Sequence, residues 1–353
     1  MITVKFKIEP SKEQKDILIK AAKEYIETVN ALVEYIKSQY DPLRLSTADF
    51  SAALPSAVKN ETINAAKSVI KKYQEGKTES LPVLKKRVIT WNNQNYKING
   101  GSIEVPLLIG GKSKRVTIKA KLNDYQRERL ENRLGSLRIS VISGKWTAQV
   151  AVETEPKKTS GDGVMGVDLG LKVPAVAVTG KGKTRFFGNG RQNKQVRRKH
   201  KTRRRKLGKA KKPEAIRKTN DKEQRWMKDQ DHKISKAVID FAVANNVSVI
   251  RLEQLDNIRN TARTSRKNAK NLHTWSFYRL ALYITYKAEL RGIKVETVNP
   301  KYTSKKCPSC GTKNHADDRK YVCAICGFES HRDRVGAMNI INAPVVDGKS
   351  LPA

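Results

Sequence analysis

The chain has no long apolar run and no segment that would direct it to a membrane. None of the hydrophobic stretches in its 353 residues approaches the roughly 18 residues that span a bilayer. The N-terminal sequence MITVKFKIEPSKEQ alternates apolar and charged residues, which is not the pattern of a signal peptide. We therefore expect no membrane partner and a protein that stays in the cytoplasm.

Acidic residues are also scarce. The chain has 34 of them against 72 lysines and arginines, which gives a formal net charge of +38. A membrane-surface protein would concentrate this charge on one amphipathic helix, whereas here it is spread along the whole sequence. A duplex of about 20 base pairs carries roughly 40 phosphates, a charge of the same order. The composition favours a nucleic-acid partner and a nucleoid-associated location.

One dense basic block covers residues 194–212. A run of charge is often only the solvated face of a helix, and that interpretation remains open. In a chain this basic we expect the block to bind phosphates. Trp226 and Trp275 are candidates for stacking on bases, with core packing as the alternative. The expected nucleic-acid-binding residues are Arg197, Arg198, Lys199, Lys201, Arg203, Arg204, Arg205 and Lys206.

The four cysteines form two C-x-x-C pairs, Cys307/Cys310 and Cys323/Cys326. Each pair is followed by glycine, and twelve residues separate the pairs. This spacing aims four thiolates at one tetrahedral ion and is typical of a zinc ribbon. Disulfides are the competing interpretation, but no secretory signal indicates an oxidising compartment. We predict one structural Zn²⁺, closed to substrate because all four ligands are cysteines.

The first half of the chain predicts strands with a helical insertion. MITVKFKIE places apolar residues on one face and lysines on the other, as in a half-buried strand. A helix should follow, with Ser11 as N-cap and Gln14 completing a capping box, and a second helix should cover about 57–74. Four alternating segments between about 80 and 156 then predict an antiparallel barrel with strand 1–9, and ISGKW predicts a hairpin turn.

The second half predicts an α/β domain after the polar linker EPKKTSGDG. A buried strand, GVMGVDLG, is followed by a hairpin across the GKGK turn. Helices then alternate with the strands VSVIRLEQL and IKVETVNP, and Gly292 should end the second of these helices. This order predicts one mixed sheet, with the cysteine ribbon and a short helix after the last strand.

Three carboxylates occupy informative positions in this half. Asp168 and Glu253 end predicted strands, and Asp333 begins the last helix. Acids at the carboxyl ends of neighbouring strands face the crevice of an α/β sheet, where they could hold Mg²⁺. Each also has an ordinary interpretation. Asp168 could be a turn residue, and Asp333 could cap its helix. Glu253 could cap a strand or pair with Arg251 or Arg259.

The chain resembles the TnpB family, the transposon-encoded OrfB-type RNA-guided nucleases related to miniature type V CRISPR effectors. The resemblance lies in GVDLG, IRLEQL, NPKYTSKKCPSCG, RKYVCAICG and HRDRVGAMNI, in the family's order, and more weakly in N-terminal segments. It implies an α/β multidomain protein with a RuvC-like nuclease domain of RNase H fold. Asp168, Glu253 and Asp333 fall on the family's catalytic positions and would bind Mg²⁺, with two ions expected.

The resemblance also implies a domain plan. Residues 1–10 and 77–156 would form a wedge-type β-barrel, with a helical recognition lobe at 11–76 inserted into it. The RuvC-like domain would comprise 157–300 and 330–345, interrupted by a zinc-ribbon module at 301–329 that binds target nucleic acid, and a tail would follow at 346–353. One departure is visible, since Val335-Gly336-Ala337 stands where the family usually has Asn-Ala-Ala. Glycine there should weaken the helix by about 1 kcal/mol.

The implied function is RNA-guided cleavage of double-stranded DNA beside a short recognised motif, with guide RNA and target DNA as partners. Arg319, near the ribbon, is a candidate for placing the scissile phosphate. Three alternatives remain open: a small CRISPR effector with a separately encoded guide, a guided DNA-binding repressor, and a strand-joining transposase. Retention of all three carboxylates disfavours the repressor, and the ribbon before the last aspartate disfavours the transposase.

Overall fold

The chain folds as two compact units, Met1–Thr154 and Glu155–Ala353. A computed structural model describes residues 1–38, 45–156, 161–219, 221–255, 276–314 and 319–346. The division between the units falls at the first residue of the linker EPKKTSGDG. Within these ranges no helix combines the length and apolarity that crossing a membrane requires. Trp275, Arg259 and almost all of the predicted tail lie outside the described residues.

The first unit is built on one seven-stranded sheet. Its strands are β1 (Ile2–Glu9), β2 (Val88–Trp91), β3 (Lys97–Asn99), β4 (Ser102–Ile109), β5 (Lys112–Lys121), β6 (Leu134–Ile142) and β7 (Lys145–Val152). They lie in the order β2-β6-β7-β1-β5-β4-β3, and all described pairings are antiparallel. The alternation in β1 buries Val4, Phe6 and Ile8 and exposes the lysines between them, as predicted.

The sheet curls toward closure. Trp91 in β2 donates its indole N–H to the carbonyl of Pro106 in β4 at 3.2 Å, although β2 and β4 stand near opposite ends of the strand order. Strand-to-strand bonds between β2 and β3 are absent from the described pairings, so closure into a barrel stays a prediction. The predicted hairpin is confirmed, because Ser143 and Gly144 have φ of 50° and 73° between the paired residues Ile142 and Lys145.

Three helices complete this unit: α1 (Lys12–Ser38), α2 (Ser56–Gln74) and α3 (Asp124–Leu130). The predicted capping box opens α1, because the Gln14 amide donates to Ser11 Oγ at 3.2 Å and the Ser11 amide donates to Gln14 Oε1 at 3.0 Å. The apolar faces of α1 and α2 pack with the inner face of the sheet in one core. Strands β2 and β3 and helix α3 were not predicted.

The second unit carries a five-stranded mixed sheet, as predicted. Its strands are β8 (Gly163–Asp168), β9 (Ala175–Thr179), β10 (Thr184–Phe187), β11 (Val247–Glu253) and β12 (Lys294–Val298), in the order β10-β9-β8-β11-β12. Strands β8, β11 and β12 are parallel to one another. Strands β9 and β10 form the predicted hairpin, and β9 also pairs antiparallel with β8. The carboxyl ends of β8, β11 and β12 therefore lie side by side at the same end of the sheet.

The helices of this unit are α4 (Gly190–Lys209), α5 (Pro213–Lys218), α6 (Lys222–Ala244), α7 (Phe277–Glu289) and α8 (Arg332–Asn342), and the ribbon strands are β13 (Lys320–Val322) and β14 (Glu329–His331). Gly292 is the C′ residue that caps helix α7, as predicted. Gly292 has φ of 71° and donates to Glu289 O at 2.9 Å, and Ile293 donates to Ala288 O at 3.0 Å. This is the Schellman pattern, and it turns the chain directly into β12.

Helix α8 lies unusually close to β8. A Cβ added at Gly166 in β8 would fall on the carbonyl of Ala337 in α8. Only glycine permits this approach. The short distance between helix and strand brings the N-terminal turn of α8, which holds Asp333, over the end of β8, which holds Asp168.

Candidate carboxylate and zinc sites

The three predicted carboxylates come from three adjoining elements. Asp168 is the last residue of β8 and Glu253 is the last residue of β11. These strands are parallel neighbours, with Val167 opposite Leu252, so the two carboxylates leave the sheet at the same edge. Asp333 is the second residue of α8 and only 8% exposed.

The contact between β8 and α8 is closest at Gly336. A Cβ at this position would lie 2.9 Å from Oδ2 of Asp168 and 3.2 Å from its Cγ. Residues three apart share a helix face, so Asp333 and Gly336 both face the end of β8. The glycine that departs from the family pattern therefore provides the space in which the Asp168 carboxylate lies.

The Asp168 carboxylate is influenced by the charges of both other acids. Its pKa is raised well above the usual value, first by burial and then by the negative charges of Glu253 and Asp333. Burial also raises the pKa of Glu253, while the hydroxyl of Thr303 acts to lower it. Since repulsion between like charges costs free energy in the metal-free protein, this cluster is suited to binding a cation.

Glu253 and Asp333 each have a polar partner. Thr303 donates its hydroxyl to Glu253, and Arg319 forms an ion pair with Asp333. Arg251 instead pairs with Glu296 at 3.0 Å, so it is not the partner of Glu253.

Asp333 also does not cap its helix, because the N-cap is His331, whose Nδ1 accepts from the Asp333 amide at 3.2 Å. The pairing of Glu253 with Arg251 and the capping of the last helix by Asp333 are thus wrong. The contacts of Thr303 and the role of Gly336 were missed, because neither residue carries a charge or a ligand motif that sequence reasoning could detect.

The donor set fits hard divalent cations, which prefer carboxylate oxygens. The charges of Glu253 and Asp333 both act on the Asp168 carboxylate, so a cation bound at Asp168 would be attracted by all three acids.

The four predicted zinc ligands do come together. Their Sγ atoms all lie within 4.8 Å of one another, with Cys307 and Cys326 at 3.6 Å and Cys310 and Cys323 at 3.5 Å. Tetrahedral Zn–S bonds of about 2.3 Å require sulfur separations of about 3.8 Å. Hydrogen bonding from Thr312 lowers the pKa of Cys310 to about 6. The cluster fits one structural Zn²⁺.

The basic block forms helix α4, which buries Gly190 alone. Two of its residues face acidic partners, because Arg204 pairs with Glu223 at 2.7 Å and Arg197 is half-buried near Glu223 and Asp231, with a pKa lowered by burial. The other six predicted nucleic-acid-binding residues are exposed: Arg198, Lys199, Lys201, Arg203, Arg205 and Lys206.

Family comparisons match both parts of the second unit. A model described as "Probable transposase" (OrfB_IS605) matches residues 147–259, which include Asp168 and Glu253. A model described as "Cas12f1-like, TNB domain" matches residues 277–340, which include the cysteine ribbon and Asp333. The two matches together cover all three carboxylates and all four cysteines.

Similarities to individual proteins agree with the two family models. The chain is 28% identical over 215 residues to the CRISPR-associated endodeoxyribonuclease Cas12f1 of Sulfoacidibacillus thermotolerans, covering 56% of this chain and 50% of that protein. It is 38% identical over 125 residues to a TnpB-like protein of Methanocaldococcus jannaschii, covering 35% and 45%. The chain thus spans about half the length of these relatives. A further M. jannaschii protein, described as a transposase, is 32% identical over 104 residues and matched over 95% of its length.

The fold is shared with type V effectors. A Cas12f1 solved with its guide RNA and target DNA superposes with a TM-score of 0.70 at 17% identity, covering 95% of this chain and 84% of that one. The mini-RNA-guided endonuclease Cas-phi3 gives 0.53 at 12% identity, covering 98% and 93%. The fold is thus that of the α/β type V effector structures, with a cysteine cluster that suggests a zinc ribbon. The chain belongs to the OrfB/IS605 family of TnpB-like transposases.

Proposed function

We propose that this protein is an RNA-guided DNA endonuclease of a transposable element. It binds a transposon-derived guide RNA and cleaves matched double-stranded DNA beside a short motif. The observation that carries this proposal is the arrangement of Asp168, Glu253 and Asp333 around the ends of β8 and β11, in a chain with a net charge of +38. Pairing with a guide would read the sequence, and the protein would read only the short motif.

In this proposal the second unit is the RuvC-like nuclease domain. Asp168, Glu253 and Asp333 would hold Mg²⁺, which when bound activates a water and stabilises the leaving 3′ oxygen. Before the metal binds, Arg319 neutralises Asp333. In the metal-bound site its guanidinium would instead bind the scissile phosphate, for which its planar donors are well shaped.

The remaining regions would bind nucleic acid. The exposed side of α4 would contact phosphates without reading sequence, and the cysteine ribbon would guide the target strand to the carboxylates. The first unit would supply the wedge-type barrel, from 1–10 and 77–156, and the helical recognition lobe, from 11–76. These assignments rest on the family resemblance and on the exposed positive charge of α4.

The test is plasmid cleavage by purified ribonucleoprotein with a matched target. We expect Asp168→Asn to bind guide RNA normally and to lose cleavage. The matched control is Asp240→Asn, which removes an exposed carboxylate on α6 that pairs with Lys236 and should leave cleavage unchanged. Full cleavage by Asp168→Asn would refute the catalytic assignment.

A second candidate is a miniature CRISPR effector with a separately encoded guide. It is favoured by the 28% identity to Cas12f1 over 215 residues. Sequencing the RNA that copurifies with the expressed protein distinguishes the two candidates. RNA from the 3′ end of the gene itself supports the transposon nuclease, and RNA from a repeat array supports the effector. Target binding without cleavage by the wild-type complex would instead identify a guided repressor.

A further inference from the structure

The segment Pro300–Lys306, which joins β12 to the ribbon, forms a tight turn that we call the ribbon turn. The amides of Lys305 and Lys306 both donate to the carbonyl of Tyr302, at 3.0 and 2.9 Å. Tyr302 has φ of 67°, which lies in the left-handed region of backbone conformation. This region is energetically unfavourable for residues other than glycine. Residues in this conformation cluster at functional sites, where the surrounding structure holds them in place.

The ribbon turn is held from two sides. On one side, Asn339 of α8 donates its amide to the carbonyls of Thr303 at 2.7 Å and Lys306 at 2.6 Å. On the other, the hydroxyl of Tyr321 in β13 donates to Lys305 O at 3.1 Å. The turn is therefore fixed both to the helix that carries Asp333 and to the strands of the cysteine ribbon.

Thr303 uses this fixed position to reach a carboxylate. It is 5% exposed, and its hydroxyl donates to Oε1 of Glu253. A neutral hydroxyl orients a carboxylate without competing for its charge, unlike the arginine on Asp333. One oxygen of Glu253 is thus engaged by Thr303, and within the described part of the chain Oε2 has no hydrogen bond that would oppose a cation.

We propose that Thr303 is a positioning residue that orients Glu253 for divalent-cation binding and makes that binding depend on the folded zinc ribbon. Only a short segment of chain connects Thr303 to the first cysteine of the ribbon. Cys307 directly follows the ribbon turn, and its amide is bonded to Thr312 O at 2.8 Å within the first cysteine knuckle. This inference rests on the proposed function only in assuming that Asp168, Glu253 and Asp333 bind a divalent metal.

The test measures Mn²⁺ binding to the full chain without nucleic acid, by electron paramagnetic resonance of free Mn²⁺. Thr303→Val keeps the shape of the side chain and removes its donor. We expect it to weaken Mn²⁺ binding about tenfold, the scale of losing a group that orients a metal ligand. Thr303→Ser should bind as the wild type does. The matched control is Thr285→Val, since Thr285 is 4% exposed and bonded within α7 to Ala281 O at 3.0 Å.

A second experiment tests whether Mn²⁺ binding depends on the folded zinc ribbon. Zinc-stripped wild type should lose the same factor in Mn²⁺ affinity, and Thr303→Val should add little in stripped protein, because both changes break one path. Elemental analysis should find one zinc per chain in unstripped Thr303→Val. Additive losses would refute the coupling.

The Asp168→Asn variant distinguishes a failure of the role proposed for Thr303 from a failure of the metal site itself. Loss of Mn²⁺ binding there, with wild-type binding by Thr303→Val, overturns the role of Thr303 and leaves the proposed nuclease site intact. Unchanged binding by Asp168→Asn overturns the metal site itself. If Thr303→Val fails to fold, the Thr303→Ser and Thr303→Ala pair gives the same comparison, and equal Mn²⁺ affinity in that pair refutes the proposal.

Discussion

Gly336→Ala is the substitution whose consequence the structure defines most sharply. It introduces the alanine that the family resemblance leads us to expect at this point of the helix. Alanine in place of glycine within a helix should stabilise it by about 1 kcal/mol. The new Cβ, however, would lie 2.9 Å from Oδ2 of Asp168, where ordinary contact begins at 3.4 Å.

The size of the effect follows from these distances. The Asp168 carboxylate must retreat by the difference of 0.5 Å, because the Cβ is fixed to the helix and the acid is the end of a side chain. Misplacement by 1 Å at a reacting centre costs on the order of 100-fold in rate, so we expect about a tenfold loss of cleavage. Gain in helix propensity and steric cost should nearly cancel, leaving the melting temperature within about 4 °C of wild type.

The assay compares cleavage rates at saturating guide and target over a range of Mg²⁺ concentrations. Gly180→Ala is the control, since Gly180 lies outside the proposed sites and a Cβ there would make only an ordinary contact, 3.5 Å from Val164 O. It should cleave at the wild-type rate. Wild-type cleavage by Gly336→Ala would show that Asp168 does not need the space beside α8, and the reasoning would fail.

Other outcomes are expected. The raised pKa values of Asp168 and Glu253 mean that protons compete with the metal, so the Mg²⁺ concentration for half-maximal cleavage should fall as pH rises through those values; a requirement independent of pH would contradict this. The same raised pKa makes the metal-free fold lose stability as pH rises, so Asp168→Asn should raise the melting temperature at neutral pH in calorimetry, and an unchanged or lower temperature would count against repulsion. Cys323→Ser should lose the bound zinc and the ordered ribbon, since structural zinc contributes about 10–16 kcal/mol; retained zinc by elemental analysis would refute the ligand set. Charge reversal of Arg203 and Arg205 should make nucleic-acid affinity less dependent on salt. The slope of log affinity against log salt should fall by about 0.7–0.9 for each phosphate that is no longer neutralised. Equal slopes for the variant and the wild type would show that these arginines of α4 do not contact phosphates.

Local patterns predicted well wherever a residue acts through its near neighbours. The cap of α1 at Ser11 and Gln14 depends on residues three apart, and the end of α7 depends on the φ of Gly292. Strands β2 and β3 were missed because four and three residues are too few to show alternation. They exist because β6 and β4 supply their hydrogen-bond partners.

The sequence by itself identified the four cysteines that come together, predicted the three carboxylates as metal ligands, and determined the sign of the net charge. Cysteine pairs carry their geometry in their spacing, and acids at the ends of apolar segments mark the edge of a sheet. Only the tertiary structure decided what each acid touches. Thr303 reaches Glu253 across 50 residues, and Gly336 makes room for Asp168 from another element. Such contacts depend on how closely a helix and a strand pack, which is a property of the folded core and leaves no local pattern in the chain.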